Sequence, residues 1–298
     1  MIHWPAYNKS LVRRGEILFS HDFLDIWDDD LARMNENKKG KKYKFPDSFI
    51  LIIGHIRVYL HLPYRQTEGL IKATVGKSIP EYKQPSPSYS QICRRTNKLD
   101  IDINSSIEND DVVIIAVDST GIKVTNRGQW MQDKWKTGKK GYLKIHVAVN
   151  IKTKQILALE VTDEKVHDGK VMKQLIEHVL NNNHNIKIKS FIGDGAYDSN
   201  ENFKYLNDKR IRPIIKVKRN SIISSKNNKI RNREVGFQTK DYQKWKKKRK
   251  YGSRWMAETA FSSIKRMFGE YTSAIRFQNM VKEMTMKVSL YNLFRRIA

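Results

Sequence analysis

The chain has 298 residues, and its 57 Lys and Arg outnumber its 31 Asp and Glu, which leaves a formal charge of +26. A field of that size attracts polyanions, so nucleic acid is the expected partner and a membrane surface the competing one. Hydrophobic residues make up 39% of the chain, which excludes wholesale disorder. The apolar run FILIIG is far shorter than the about 20 residues that span a bilayer.

The cysteine content narrows the class further. A single cysteine, Cys93, excludes an intramolecular disulfide and the cysteine-rich zinc sites, and it fits a reducing compartment. The opening MIHWPAYNKS lacks the apolar segment of a secretory signal. We therefore expect a cytoplasmic, nucleoid-associated protein that does not contact membranes.

The first region of the chain has helical signals. Asp47 after Pro46 predicts the cap of one helix, Pro63 suits the first position of a second, and Ser86 with Pro87 predicts the start of a third. The polar stretch NKLDIDINSSIENDD, residues 97–111, lacks sustained periodicity and predicts a domain boundary. We therefore divide the chain into a helical domain, 1–105, and a second domain, 106–298.

The third of these helices has an apolar residue, Ile92, beside the cations Arg94, Arg95 and Lys98. Three short helices, the last of them basic, indicate a helix-turn-helix-like DNA-binding region, so Arg94 and Arg95 are candidate DNA contacts. The connection KSIPEYKQP is longer than the turn of that motif. An ordinary helical bundle with a solvated basic face is the alternative.

The second domain changes to strand patterns. Its predicted strands and helices are VVIIAV, YLKIHVAVNI, ILALEVTD, the helix DGKVMKQLIEHVLNN, IKSFIGD, the helix SNENFKYLNDKR, RPIIKVKR and a last helix from Tyr251. Three early strands followed by alternation predict an α/β fold, a mixed sheet with helices on both faces. His146 in the second strand is either a group near a site or, as we favour, a strand histidine satisfied by a neighbour.

Two aspartates follow apolar strands. Asp118 comes after VVIIAV, and Asp194 lies between Gly193 and Gly195 at the end of IKSFIGD. Ligand sites in open α/β sheets favour this edge, and glycines let another group approach the backbone. Each aspartate alone could be a solvated turn residue. Two of them, on strands that could be neighbours, indicate a site.

A third carboxylate stands in the basic segment YGSRWMAETAFSSIK. On a continuous helix, Tyr251, Arg254, Glu258 and Lys265 share one stripe. This stripe borders a predicted apolar face made of Ala257, Ala260, Phe261, Ile264 and Phe268. Glu258 is then either half of a surface ion pair or a ligand to a metal. Three carboxylates suit Mg²⁺ or Mn²⁺, and two such ions can support phosphodiester chemistry.

The run KWKKKRK precedes this segment and is a candidate phosphate-binding surface, through Lys246 and Lys247. Its Trp245 could stack on an unpaired base or be buried, and the sequence leaves both open. The preceding residues 220–240 have the composition of a polar loop, with at most a short strand.

The spacing YxxRxxxExxxxxxK, met by Tyr251, Arg254, Glu258 and Lys265, resembles the signature of DDE transposases of bacterial and archaeal insertion sequences. The segments AVDSTGIKV and FIGDGAYDS resemble the regions of the first and second catalytic aspartates in the large group numbered five. Similarity in WPAYNKSLVRRGEI, YRQTEGLIK, KIHVAVNIKT and VTDEKVHDG extends the resemblance over nearly the whole chain.

This resemblance implies a ribonuclease-H-like catalytic domain in which Asp118, Asp194 and Glu258 hold two Mg²⁺ or Mn²⁺ ions. It implies that Tyr251, Arg254 and Lys265 contact DNA or organise the site. It also implies recognition of terminal inverted repeats by the N-terminal region, strand cleavage at the element ends, and transfer of the freed 3′ ends into target DNA. The implied working form is a homodimer or a larger synaptic complex on double-stranded DNA.

Two other functions stay open from the residues alone. One is a ribonuclease-H-like nuclease, and the other is a transposon-derived DNA-binding protein without catalysis. The Tyr-Arg-Glu-Lys stripe favours a transposase, because a simple nuclease has no evident need for it. The presence of all three acids argues against lost activity.

Overall fold

The structure is a computed structural model that describes residues 3–78, 86–104, 112–124, 142–182 and 186–297. Its helices and strands, in chain order, are α1 (Trp4–Leu18), α2 (Trp27–Asn35), α3 (Asp47–Tyr59), α4 (Tyr64–Ser78), α5 (Tyr89–Thr96), β1 (Val112–Lys123), β2 (Tyr142–Asn150), β3 (Ile156–Asp163), α6 (Asp168–Asn182), β4 (Lys187–Gly193), α7 (Asn200–Asp208), β5 (Arg212–Ile215), α8 (Lys229–Lys240), α9 (Tyr242–Arg249), α10 (Trp255–Phe268) and α11 (Phe277–Arg296). Short 3₁₀ helices cover Gly195–Tyr197 and Tyr251–Arg254.

Contacts divide the chain into two units, residues 1–102 with 274–298 and residues 103–273. The sequence division at 105/106 put the last helix in the second domain, whereas α11 packs in the helical unit. The reason lies on α3, where the side chain of Met286 packs directly over Gly54, in the space that a Cβ would occupy. The rings of Tyr59 and Phe294 also meet, with centroids 5.5 Å apart.

The helix starts of the helical unit differ in detail from the sequence prediction. The third helix begins at Tyr89 and is capped by Ser88, not Ser86, because Ser88 and Gln91 bond each other's backbone amides as a capping box. Asp47 is the first residue of α3 and bonds Arg95 instead of capping the helix. Residues 79–85, most of the predicted helix-turn-helix connection, lie outside the described residues.

The second unit contains a five-stranded sheet in the order β3-β2-β1-β4-β5. β1 is antiparallel to β2 and parallel to β4, and β5 continues the parallel side. This is the predicted mixed sheet. Its core on one face joins β1 to the buried side of α6, where Val171, Met172, Leu175, Ile176 and Val179 recur at helical spacing.

Residues 220–240 were expected to form a polar loop, and that prediction is wrong for their second half. α8 forms there because Asn228 caps it, accepting from the amide of Ile230 at 2.8 Å, and because Glu234 and Val235 are buried. Glu234 is held by groups from α9, which the local composition does not reveal.

Candidate active site

The sequence predicted that Asp118 follows the end of β1. In the structure Asp118 lies within β1, which continues to Lys123. The strand continues because β2 pairs with it as far as Lys123, with Asp118 opposite Val147. The parallel partner β4 ends earlier, and the last pair between the two strands is Ala116 with Ile192. Asp118 and Asp194 each stand two residues beyond that pair. The sheet therefore brings the two aspartates to the same level of neighbouring strands.

Asp194 begins the 3₁₀ turn that follows β4. Its Oδ1 accepts a hydrogen bond from the amide of Ala196 at 2.9 Å, which fixes the carboxylate at the strand end. The preceding glycine has a different use from the expected one. A Cβ at Gly193 would lie 2.8 Å from ring atoms of Phe191 and Tyr197, so the glycine makes room for buried rings and not for a ligand.

The segment with the third acid is not one continuous helix. Lys250 has a φ of 54°, a 3₁₀ turn runs from Tyr251 to Arg254, and α10 starts only at Trp255. The predicted apolar face is confirmed, since Ala257, Ala260, Phe261, Ile264 and Phe268 are all buried. Burial of each large member contributes about 1.5–3 kcal/mol. Glu258 is 53% exposed, more open than the expected position at the edge of the buried side.

Arg254 joins the first acid to the third. Its Nη1 donates to Oδ2 of Asp118 at 2.9 Å, and its Nη2 donates to Oε1 of Glu258 at 2.5 Å. The other oxygen of Asp118 accepts from the amide of Ser119 at 2.9 Å. In this arrangement one guanidinium fork bonds two carboxylates from different elements and offsets one of their two negative charges.

The pKa of Asp118 reflects its burial and the charged groups around it. Partial burial raises the pKa of its carboxyl above the usual range, and the negative charges of Asp194 and Glu258 act in the same direction. The Ser119 amide and the Arg254 guanidinium oppose that rise without cancelling it. Tyr251 lies under the site, where burial raises its pKa to about 12. The charges of Asp194 and Glu258 thus act on the half-buried carboxyl of Asp118.

An open groove of about 510 Å³ runs beside these acids. Its lining consists of Asp118, Ser119, Thr120, Glu258, Phe261, Ser262, Lys265, Arg266 and Glu270. Lys265, a predicted DNA contact, therefore shares the groove with two of the acids. Arg266 of α10 and Glu270, just after that helix, also line the groove. Their position depends on how α10 lies on the sheet, which helical spacing alone does not give.

A polar cluster around Asp168, a residue to which the sequence analysis gave no role, lies on the other face of β1. Asp168, the first residue of α6, forms an ion pair with Lys144 at 2.5 Å and accepts from Oγ of Ser119 at 3.1 Å. His146 is fully buried, with Nε2 2.9 Å from Oγ1 of Thr162, and burial lowers its pKa to about 4. His146 is therefore a strand histidine satisfied by a neighbour, as favoured from the sequence.

The basic run before the 3₁₀ turn forms α9. The base-stacking interpretation of Trp245 is wrong, because its side chain is fully buried and its Nε1 donates to Oε2 of Glu234 at 2.8 Å. The ring packs against Tyr242 and Tyr251, with centroids 5.6 and 5.0 Å away. Lys246 and Lys247 are exposed on the same helix. One turn of helix thus combines a buried anchor with two solvent-facing cations.

The two candidate contacts on α5 differ from each other. Arg94 is exposed, and its Nε donates to the carbonyl of Ser90 at 3.2 Å. Arg95 is held by contacts within the helical unit. Its Nη2 bonds Asp47 at 2.6 Å, and its guanidinium lies 4.5 Å from the ring centroid of Tyr43. Of the pair, Arg94 is the more accessible to a phosphate.

No group of three His, Cys, Asp or Glu side chains in the described part of the chain is spaced to hold a metal ion. The side chains of Asp118 and Glu258 instead bond Arg254. None of the described helices is long and apolar enough to cross a membrane.

The chain matches known protein families over most of its length. A family model described as a transposase DDE domain matches residues 111–293, more than half of the chain, and a second model of the same description matches residues 12–127. Among solved structures, the chain is similar to the Drosophila P element transposase strand transfer complex, at 11% identity and a TM-score of 0.35, covering 89% of this chain and 69% of that one. It is also similar to the piggyBac transposase synaptic complex with hairpin DNA, at 9% identity and a TM-score of 0.43, covering 96% and 74%.

Proposed function

The chain belongs to the DDE transposase domain family, and on that premise we propose that it is the transposase of an insertion sequence of group five. In this role it binds the terminal inverted repeats of its element, cuts DNA strands there, and joins the freed 3′ ends to target DNA. The observation that carries the proposal is the bridge from Asp118 through Arg254 to Glu258. Two signature residues four positions apart, Arg254 and Glu258, are thereby joined to an acid that lies 136 residues before Arg254.

The chemistry of the donor set fits a divalent cation, although the three acids are not spaced as a metal site in the described residues. Asp118, Asp194 and Glu258 offer only carboxylate oxygens, which suit Mg²⁺ or Mn²⁺. The raised pKa of Asp118, caused by burial and by its acidic neighbours, marks a site where added positive charge is favourable. These three residues would hold the ions, two in number by analogy with phosphodiester-transfer sites. When bound, such ions activate the attacking oxygen and stabilise the leaving one.

Arg254 provides the positive charge next to Asp118 and Glu258 when no metal ion is bound. A guanidinium stays protonated at any working pH, so its single positive charge offsets part of the negative charge of Asp118 and Glu258 in the metal-free protein. It must release those oxygens before the acids can hold a cation. Its fork is then available to a phosphate of the bound strand, which it can bond with two donors.

The cations around the groove would hold the rest of the DNA. Lys265 and Arg266 line it directly, and Lys246 and Lys247 extend an exposed positive surface along α9. Arg94 supplies an exposed cation in the helical unit. Contacts of this kind position a duplex without reading its sequence. We propose double-stranded DNA as the partner, with two or more copies of the chain acting on paired ends.

The test is strand cleavage on a plasmid that carries the gene with its own flanks, in Mg²⁺ or Mn²⁺. Wild type should cut at discrete ends, whereas Asp118→Asn and Glu258→Gln should bind the same DNA nearly as well and not cut it. Glu201→Gln removes an exposed carboxylate of α7 and should behave as wild type.

Three other results would separate the alternatives. Cuts spread over the plasmid would indicate a nuclease, and specific binding without cuts in wild type would indicate a DNA-binding protein without catalysis. Equal loss of binding and cutting in Asp118→Asn would mean that the residue supports folding.

A further inference from the structure

The first two predicted acids are each held by a backbone amide that follows closely in the chain. Oδ1 of Asp118 accepts from the amide of Ser119, and Oδ1 of Asp194 accepts from the amide of Ala196, both at 2.9 Å. Such charge-assisted bonds are strong, and they limit the directions in which a carboxylate can present its other oxygen. The orientation of both acids therefore depends on where Ser119 and Ala196 are held.

Asp168, the first residue of α6, holds Ser119. Its Oδ2 accepts from Oγ of Ser119 at 3.1 Å, and its Oδ1 forms the ion pair with Nζ of Lys144 at 2.5 Å. The same Nζ donates to the carbonyl of Val166 at 3.1 Å. Because Lys144 belongs to β2 and Ser119 to β1, these bonds attach the start of α6 to two strands of the sheet.

Gly169, the next residue, lies against the turn that contains Ala196. A Cβ at Gly169 would be 2.8 Å from the carbonyl oxygen of Ala196, so a side chain there would require the backbone to move. Nδ2 of Asn202, on α7, donates to the carbonyl of Gly169 at 3.2 Å and to that of Tyr197 at 3.1 Å. The start of α6 is thus packed on the Asp194 turn as well as bonded to β1.

Tyr197 gives an independent sign that Asp168 lies near both acids, because its side chain is almost fully buried. Burial raises the pKa of its hydroxyl well above the usual value, and the negative charges of Asp168, Asp118 and Asp194 act in the same direction. Carboxylates from α6, from β1 and from the turn after β4 therefore lie within electrostatic reach of one ring.

We infer that Asp168 and Gly169 form a positioning pair for the first two predicted acids. Asp168 acts on Asp118 through Ser119. Gly169 acts on Asp194 by fixing the turn that follows β4. Groups that orient the ligands of a metal ion contribute to its binding, and their removal typically costs about 10- to 100-fold in metal affinity. The inference rests on the proposed function, because that function makes the two aspartates ligands of a divalent cation.

The experiment measures Mn²⁺ affinity by isothermal calorimetry on the full chain without DNA, so that the result does not depend on strand cleavage. Ser119→Ala removes the hydroxyl that bonds Asp168 and keeps the amide that bonds Asp118. Gly169→Ala adds a methyl group against the turn and changes no charge. Each variant should bind Mn²⁺ roughly 10- to 100-fold more weakly than wild type, while it stays folded and keeps its DNA affinity.

Two further variants separate positioning from a general effect of substitution. Ser119→Thr keeps the hydroxyl and should restore most of the Mn²⁺ affinity that Ser119→Ala loses. Gly15→Ala is the matched control for Gly169→Ala, because the position of a Cβ at Gly15, on α1, has no described atom within 4 Å outside its own stretch of helix. It should bind Mn²⁺ as wild type does.

Double variants assign each effect to its path. Asp168→Ala removes the acceptor of the Ser119 hydroxyl, so adding Ser119→Ala to it should weaken Mn²⁺ binding no further. Gly169→Ala acts on the other aspartate, so its loss and that of Ser119→Ala should multiply in the double variant. A further full loss on adding Ser119→Ala to Asp168→Ala would overturn the path through the Ser119 hydroxyl.

Contrary outcomes are distinct. Wild-type Mn²⁺ affinity in both Ser119→Ala and Gly169→Ala would overturn the inference and leave the proposed function standing. Loss of folding and of DNA binding together with Mn²⁺ binding in both variants would mean that the pair only stabilises the fold, which also overturns it. Absence of Mn²⁺ binding by wild type would overturn the metal assignment of the proposed function, and this inference with it. An equal loss in Gly15→Ala would overturn the assignment to α6.

Discussion

Nη1 of Arg254 lies 2.9 Å from Oδ2 of Asp118, although 136 residues separate the two along the chain. The contact brings the start of α10 to the middle of β1, in a groove that Lys265 also lines. Because the same guanidinium bonds Glu258, the two acids and the arginine form one electrostatic unit. A metal ion can therefore bind the two acids only after Arg254 has released their carboxylate oxygens.

Removing that resident cation should strengthen metal binding. In Arg254→Gln the acids no longer have a competing positive charge, so Mn²⁺ affinity without DNA should rise roughly fivefold, the equivalent of about 1 kcal/mol for a partly exposed pair. Strand cleavage should fall at the same time. Isothermal calorimetry measures the first effect. Arg233→Gln, an exposed arginine of α8, should leave Mn²⁺ affinity unchanged. Weaker Mn²⁺ binding in Arg254→Gln would contradict the competition.

A buried ion pair beyond the Asp194 turn should be a point of high stability cost. Asp198 has no exposed side-chain surface and bonds Nε and Nη2 of Arg231, the amide of Lys218 and Oγ of Ser221. Arg231→Met would leave that carboxylate buried without its charge partner, which costs about 3–5 kcal/mol. Urea unfolding should show this loss.

The matched variant for this pair is Arg233→Met, two residues away on α8. Arg233 is 61% exposed and only 3.6 Å from Glu234, so its loss should change the free energy of unfolding by about 0.5 kcal/mol or less. Similar losses in both variants would mean that α8 depends on arginine in general and not on the pair with Asp198.

The sequence predicted β3 and α6 to the residue because their periodicities are complete and their ends have turn residues. It missed α8, whose Glu234 is stabilised by Trp245 and Arg249 from the next helix. Tertiary contacts of that kind have no local pattern. The contacts of Asp168 were not predicted for the same reason, since its partners Lys144 and Ser119 lie on β2 and β1.

Within the candidate site, the sequence named the three acids and the signature residues as candidates but did not give their contacts. The three acids could be found from strand ends and from one carboxylate in a basic helix. The position of Arg254 between two of these acids could not be predicted, because it depends on how α10 crosses β1. Trp245 and Trp255 show the same limit. Both stand in the basic segment, and only packing decides that the first is buried and the second exposed.

Stability should fall on mild acidification through buried histidines. Burial lowers the pKa of His55 in α3 to about 4, against an unfolded value of about 6.5. Between these values the unfolded chain binds a proton that the folded protein does not, so the free energy of unfolding decreases as the pH falls, by about 1.4 kcal/mol per pH unit.

His55→Leu should reduce that pH slope by about one proton while His146, whose pKa is also lowered to about 4 by burial, keeps its own share. Urea unfolding of both proteins at several pH values between about 4.5 and 6.5 measures the difference. Parallel curves for variant and wild type over this window would contradict the assignment, whatever their vertical offset.

Two neighbouring positions of α9 should separate DNA binding from folding. Lys246 and Lys247 are exposed, so their joint replacement by Ala should lower the dependence of log affinity on log salt by up to about 1.8, or about 0.9 per lost phosphate contact, with the melting temperature unchanged. Trp245→Ala should instead cost about 3–5 kcal/mol of stability, because it empties a fully buried site. The control is Lys173→Ala with Lys209→Ala, which removes the same charge from cations already paired with Glu201 and Glu177. If that control lowered the salt dependence equally, the net charge of the protein would govern DNA binding, and not specific phosphate contacts of Lys246 and Lys247.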